Sequence, residues 1–341
     1  MSAASTITDS SQVETRAGQD LRCGTGLATL LTLPGIGEKR ALILAQTFST
    51  WTGLIKATGE DLATCLGAKT AQALRSHLDA HPDRPDLDLP NDTQVVSILD
   101  ETYPAALRGI PAPPTLLWVT GALPPPQDAA VTIVGTRTPD TFGHNAAHHA
   151  AASAAAHGLV TISGLALGVD TIAATTCMDA GLPTWAVLGQ GVATLPGSGN
   201  RADLAARILE TGGGLISEVP PHTPVATHLL TQRNRIQSGL SMLTFIAQTG
   251  LATPTKPAGA LHTVKHALTQ GRPIAAAQPP AGHATSDVAG NLALTSPFGI
   301  DPTLLHITDP GTAALVRTRT PLADHVITGP EDLTRLWTAL I

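Results

Sequence analysis

The sequence predicts an α/β protein: a doubly wound, mostly parallel sheet flanked by helices, with a small all-helical unit ahead of it. Three observations carry this. From residue 131 onward, short apolar runs ("VTIV", "LVTIS", "TWAVLG", "GLISE", "LTFIA" and "RPIAAA") alternate with helical stretches, the rhythm of parallel strands joined by crossover helices. Glycine-rich strings ("GTR", "SGLALGVD", "GQGVATLPGSGN") fall at the ends of these runs, where free amides and helix N-termini converge on ligands. Before them, "LATLLTLPGIGEKRALILAQTF" is two apolar-periodic stretches joined by Pro34-Gly35-Ile36-Gly37. "LATCLGAKTAQALRSHL" repeats that plan with Leu66-Gly67-Ala68-Lys69 in place of the turn.

These signals divide the chain into a disordered start (1–20), a helical-hairpin domain (21–80), a linker (81–92) and a sheet domain (93–341). The start is polar and carries acids, and the linker "HPDRPDLDLPND" is rich in proline and aspartate. Prolines punctuate residues 93–128, leaving Leu116–Val119 as one short strand. A last helix follows Pro330, with Glu331 and Asp332 in its first turn, where acids suit the helix dipole. No room for another domain is expected after it.

Of the 341 residues, 43% are hydrophobic and 13% charged, so a large core is expected and general disorder is not. Aromatics make up only 3%, which leaves few rings for stacking bases. A net charge of −6 confines any nucleic-acid surface to a local patch. Cys23, Cys65 and Cys177 stand far apart, neither a disulfide framework nor a zinc ribbon, which suits a reducing cytosol. The start lacks the apolar stretch of a signal peptide, and no apolar run reaches about 18 residues, so a cytoplasmic protein without a membrane span is expected. His144 and His148 stand at helical spacing, but no cysteine or carboxylate completes a metal site. G-x-S-x-G, P-loop and H-E-x-x-H strings are absent, so no catalytic residue, metal or cofactor is expected.

Four strings carry candidate chemistry. "LPGIG" followed by "EKRALIL" is a helix-hairpin-helix signature; Gly35, Gly37 and Lys39 are candidates for a secondary phosphate contact, the alternative being a packing turn. "VTIVGTRTPDTFG" lacks the dinucleotide spacing G-x-G-x-x-G. It places Gly135, Thr136 and Arg137 at a strand's end, where a guanidinium fork pairs with phosphate oxygens, unless this is a plain strand-to-helix turn. "SGLALGVD" sets Ser163, Gly164, Gly168 and Asp170 after the next strand; with no second carboxylate nearby in sequence, Asp170 is read as a brace, not a catalytic acid. "TQRNRIQSGLS" clusters Arg233, Asn234 and Arg235 in a chain with only 20 lysines and arginines. Such a cluster is either a phosphate or base contact or a solvated face.

At "VGTR", "SGLALGVD", "VLGQGV", "ISEVPP" and "RNRIQSGLS", in that order, the chain resembles the DprA/Smf family, the DNA-processing proteins of bacterial transformation. "ETYPAAL…PAPPTLLWVTG", "AGALHTVKHALTQGRPIAAAQPP" and "VITGPEDLTRLW" extend the likeness from about residue 25 to the end. The resemblance implies an extended Rossmann-like domain that binds single-stranded DNA, acts as a homodimer, protects incoming strands, loads the RecA recombinase and performs no catalysis. It implies a DNA-binding set of Gly135, Thr136, Arg137, Ser163, Gly164, Asp170, Arg233, Asn234, Arg235, Gly259 and Leu261. The chain departs from the family's pattern in several places. Leu167 stands where the family has arginine, and Leu230 and Thr231 replace an aromatic-proline pair. Gln232 stands where a base is frequent, Ala260 replaces a serine, and "TGLATPTKP" follows the "LTFIA" strand in place of an acid. These losses leave a rival reading open, a Rossmann-like sensor of a small nucleotide, with a role in phage defence. A phosphoribohydrolase is disfavoured, because "LPGSGN" lacks the glycine, threonine and glutamate of P-G-G-x-G-T-x-x-E.

Overall fold

The computed structural model describes residues 20–195, 197–251, 258–305 and 307–341. The predicted disordered start therefore lies outside the described residues except for Asp20, as do residues 252–257 of "TGLATPTKP". The chain forms two compact units. One runs up to Tyr103 and includes Thr115–Leu117; the other comprises Pro104–Pro114 and Trp118–Ile341.

The first unit holds helices α1 (Gly24–Leu31), α2 (Glu38–Phe48), α3 (Trp51–Lys56), α4 (Gly59–Leu66) and α5 (Ala68–Ala80), followed by strand β1 (Thr93–Ser97). Local sequence explains the breaks. Gly35, at φ 75°, turns the chain between α1 and α2. Thr58 and Asp61 close a capping box at the start of α4, satisfying two amides reciprocally. Leu27, Leu30, Leu44, Leu54, Leu62 and Leu74 are fully buried, each stabilising the bundle by roughly 1.5–3 kcal/mol. Residues 81–92 carry no helix or strand, yet this unit extends past them because β1 is tied to α1. A Cβ on Gly24 would meet the Val95 carbonyl oxygen at 1.9 Å, and Ser97 Oγ donates to the Arg22 carbonyl at 2.8 Å.

The second unit is built on the sheet. Its strands are β2 (Leu116–Gly121), β3 (Ala130–Val134), β4 (Val160–Ser163), β5 (Thr184–Val187), β6 (Gly214–Ser217), β7 (Leu243–Ile246), β8 (Ile274–Ala277) and β9 (His325–Ile327). Among the described residues the strands of this unit run in the order β2-β6-β5-β4-β3-β7-β8-β9. β2 is antiparallel to β6, and every pairing from β6 to β9 is parallel. The chain thus winds from β3 outward to β6, returns across the sheet, and winds the other way through β7 to β9. Ligand crevices of doubly wound sheets form at such a reversal, outside the carboxyl ends of the strands.

Two helical layers close the sheet. On one face pack α6 (Thr141–Ala156), α7 (Val169–Asp179) and the last helix α8 (Pro330–Leu340). Asp140 caps α6 by accepting from the Gly143 amide at 3.0 Å. Alanine, the best helix former, fills half of it. Ala147, Ala150, Ala151 and Ala154 are fully buried, and their size lets α6 press close to Val131, Phe245 and Trp337. The other face is covered by α9 (Gly259–Thr269), α10 (Ala289–Thr295) and α11 (Pro310–Thr318), which bury Leu261, Val264 and Val316 over Val134 and Ile246. Strands β3 to β8 are buried throughout, as expected for a sheet covered on both sides.

Candidate nucleic-acid interface

The loops leaving β3 and β4 are locked backbone against backbone. The Thr136 amide donates to the Gln248 carbonyl at 2.8 Å, and the Val169 amide donates to the Thr136 carbonyl at 3.2 Å. Gly168 sits at φ 75°, and a Cβ there would lie 2.5 Å from the backbone of Thr136 and Arg137. No other residue fits both the torsion and the contact. This seam presents Arg137 on the surface, exposed. Among the described residues Arg137 makes no hydrogen bond or ion pair.

Beneath it lies Asp170, in the first turn of α7 and only 5% exposed. Its carboxylate braces the loop by accepting from the amides of Gly164 at 2.8 Å and Ala166 at 3.3 Å. Arg233 passes over Gly164 so closely that a Cβ would meet Nη1 at 1.3 Å. It donates Nη1 to the Val187 carbonyl at 3.0 Å and Nε to the Leu230 carbonyl at 3.3 Å. Arg201 reaches the same loop from the helix Asn200–Glu210, donating Nε to the Leu165 carbonyl at 3.2 Å. Leu165 itself adopts φ 56°, a strained torsion for a residue with a Cβ.

Burial raises the Asp170 carboxyl above its ordinary value, against the pull of Arg233, the loop amides and Arg137. Burial likewise lowers Arg233, with repulsion from Arg137 and Arg201 partly offsetting the attraction of Asp170. Among the described residues, then, two guanidinium groups, Arg233 and Arg137, act on one carboxylate at the carboxyl ends of β3 to β5, and a third, Arg201, repels Arg233 from beside them. Such an uneven cluster favours a further anion. Ser163, at the end of β4, is fully buried and its Oγ has no hydrogen-bond partner among the described residues.

The third predicted cluster is organised differently. Asn234–Gly239 is a short buried helix, not an exposed loop. Asn234 Nδ2 donates to the Gly259 carbonyl at 3.4 Å, which brings two predicted residues together. Arg235 turns inward: its Nη1 donates to Glu218 Oε1 at 2.8 Å, its Nη2 pairs with Glu218 Oε2, and its Nε donates to the Ala112 carbonyl at 2.9 Å. Two arginines of the implied DNA-binding set therefore already hold partners inside the protein: the fork of Arg235 is filled by a carboxylate, and Nη1 and Nε of Arg233 by carbonyls. Leu261 is fully buried in the core of the α9 face, so its part is packing, as the apolar spacing of its helix requires.

Sequence reasoning missed Arg201, Glu218 and Gln248. Arg201 directly follows "GSGN", a glycine-rich string with a cation at its end. Glu218 follows the "GLIS" strand directly. In the first unit, Gly35, Gly37 and Lys39 are all exposed on the α1–α2 turn. Gly37 precedes α2 with no side-chain cap, and a Cβ on it would meet nothing within 4 Å. No described helix is long and apolar enough to cross a membrane. Among the described residues no group of three His, Cys, Asp or Glu side chains gathers in a metal-binding arrangement.

A doubly wound sheet with a cation-rich, glycine-laced carboxyl edge defines the Rossmann-like class of proteins. Within that class, residues 94–296 match the model of the DNA recombination-mediator protein A family, and residues 27–80 match a SAM-like helix-hairpin-helix tandem. The chain belongs to the DNA recombination-mediator protein A family. It is 33% identical over 187 residues to Protein Smf of Escherichia coli, covering 55% of this chain and 48% of that protein. It is 31% identical over 180 residues to DNA processing protein DprA of Bacillus subtilis, covering 52% and 58%. The chain thus spans about half the length of the curated relatives it matches. The X-ray structure of DNA processing protein A from Streptococcus pneumoniae superposes with a TM-score of 0.61 at 20% identity, covering 92% of this chain and 97% of that one. That likeness establishes a shared fold.

Proposed function

We propose that the carboxyl edge of the sheet binds the sugar-phosphate backbone of single-stranded DNA. In this reading the chain is a non-enzymatic recombination mediator that protects a strand as a cytoplasmic homodimer and loads the RecA recombinase onto it. Family membership supports the DNA-processing role. The observation that carries the binding reading is the surplus of guanidinium charge around Asp170, with Arg137 exposed and holding no hydrogen bond or ion pair among the described residues. In a molecule of net charge −6 this is a local attraction for an anion. Gly135, Thr136, Arg137, Gly164 and Arg201 form its centre; Ser163, Asp170 and the buried Arg233 hold the loop and Arg233 adds its charge from within, and Asn234 and Gly259 continue the set.

With aromatics at 3% of the chain, stacking contributes little and phosphate contacts dominate. Binding is then independent of base sequence and falls steeply with salt. The test is a titration of labelled oligo-dT with the full chain at two salt concentrations, using wild type, Arg137→Ala and Arg201→Ala. Each arginine removed is expected to lower the salt slope by roughly 0.7, the value for one phosphate on a single strand. Equal binding by all three proteins removes the arginine assignment. Stabilisation by mononucleotides with no binding of oligo-dT replaces this function with that of a nucleotide sensor.

A further inference from the structure

A cavity of about 400 Å³ opens on the α6–α8 face of the second unit, at the carboxyl ends of β7 to β9, and none of its lining residues belongs to the arginine cluster. This volume falls within the range of small-molecule sites, about 300–1,000 Å³. Its apolar walls include Phe142, Phe245 and Leu333, and its polar groups include Asn145, His149 and Gln278. The side chains of Asn145 and Gln278 make no hydrogen bond among the described residues. Among the described residues no Asp, Glu, Lys or Arg lines the cavity.

Two helices begin at its wall, and helix N-termini ordinarily attract anions. Here both ends already hold a carboxylate. Asp140 accepts from the Gly143 amide at 3.0 Å, and Asp332 accepts from the Thr328 amide at 2.7 Å. A phosphate would meet acids and no cation. The aromatic wall is also set in place: Phe142 meets the His283 ring edge-on at 5.6 Å, and His283 Nε2 lies 3.1 Å from Asp140 Oδ2.

We propose that this cavity is a second binding site, which takes a neutral nucleobase. A flat heterocycle suits walls of Phe142 and Leu333, and the two free side-chain amides offer the paired donor and acceptor that a base edge requires. The absence of lining cations makes the ligand a base or nucleoside, not a nucleotide. Its source is either a free nucleoside or an unpaired base of a bound strand. The proposal stands apart from phosphate binding at the arginine cluster and does not need it.

The experiment is a thermal-shift series on the full chain with adenosine, guanosine, cytidine and thymidine and their 5′-monophosphates. At least one nucleoside is expected to raise Tm progressively with concentration, and its monophosphate to bind at least tenfold more weakly. Gln278→Ala at the rim is expected to weaken the response about tenfold, Ala146→Trp to abolish it by filling the cavity, and Arg137→Ala to leave it unchanged. No shift with any nucleoside at millimolar concentration overturns the proposal, as does a tighter monophosphate or a loss of response in Arg137→Ala. Gln278→Ala keeps the test decisive if Ala146→Trp does not fold. Oligo-dT and oligo-dA titrations of Gln278→Ala then separate the sources: weakened binding identifies a base of the strand, and unchanged binding a free nucleoside.

Discussion

At the hairpin turn of the first unit, Gly35, Gly37 and Lys39 lie exposed, and the amides opening α2 have no side-chain cap. At the sheet edge of the second unit, Arg233 and Arg235 are less than 10% exposed and hold partners within the protein. Both regions looked alike in the sequence, as glycines beside cations. They differ in where the charge goes. The hairpin offers backbone amides and exposed surface charge, whereas the sheet edge commits two of its arginines to its own architecture and presents Arg137 outward. A cation in a motif is open to a ligand only as far as the fold leaves its donors and its surface uncommitted.

The sharpest way to break this contrast is to remove the internal partner of Arg235. Glu218→Gln leaves a buried guanidinium without its carboxylate, and a loss of about 3–5 kcal/mol in denaturant unfolding is expected. A loss under 1 kcal/mol would show that Arg235 is free to serve a ligand. Gly164→Ala comes next. Its Cβ would overlap Arg233 Nη1, so about 3 kcal/mol is expected to be lost in wild type, as when a buried charge network is broken. Much less should be lost in an Arg233→Met background, where the obstruction is gone. A double-mutant cycle on unfolding free energies measures the coupling.

His266, on α9, sharpens the same point through pH. Burial, aided by repulsion from Lys265 and Arg235, lowers its pKa to about 4. The unfolded chain takes up this proton near pH 6.5 and the folded chain only near pH 4. Stability present above pH 6.5 is therefore lost as pH falls between those values, by on the order of 3 kcal/mol at 1.36 kcal/mol per unit. His266→Gln is expected to flatten that part of the unfolding-versus-pH curve. The smallest effects belong to the exposed cations. Arg137→Ala and Lys39→Ala should each change stability by under about 0.5 kcal/mol. The first is expected to weaken oligo-dT binding about tenfold and the second only a few-fold, measured by fluorescence anisotropy. A larger loss at Lys39 would make the hairpin the principal contact.

Much of this molecule was legible in its residues, because local chemistry sets local structure. Apolar runs separated by helical spacing marked β3 to β8, and Pro34-Gly35-Ile36-Gly37 marked the hairpin between α1 and α2. The three-residue strand β9 was not visible, since His325–Ile327 is too short to show a period and forms only by pairing with β8. The helix Asn234–Gly239 was hidden too, because an Arg-Asn-Arg string looks solvated until burial is known.

The sequence by itself determined the class of fold, the places where the chain turns, and the carboxyl edge where glycines let loops close. Only the tertiary structure decided which cations remain free. Arg233 meets Gly164, Arg235 meets Glu218, and Arg201 joins the loop of Leu165 from a distant helix. The physical reason is that periodicity records neighbours within about one helical turn or one strand step, while charge pairing depends on distances in space that the winding of the sheet alone sets.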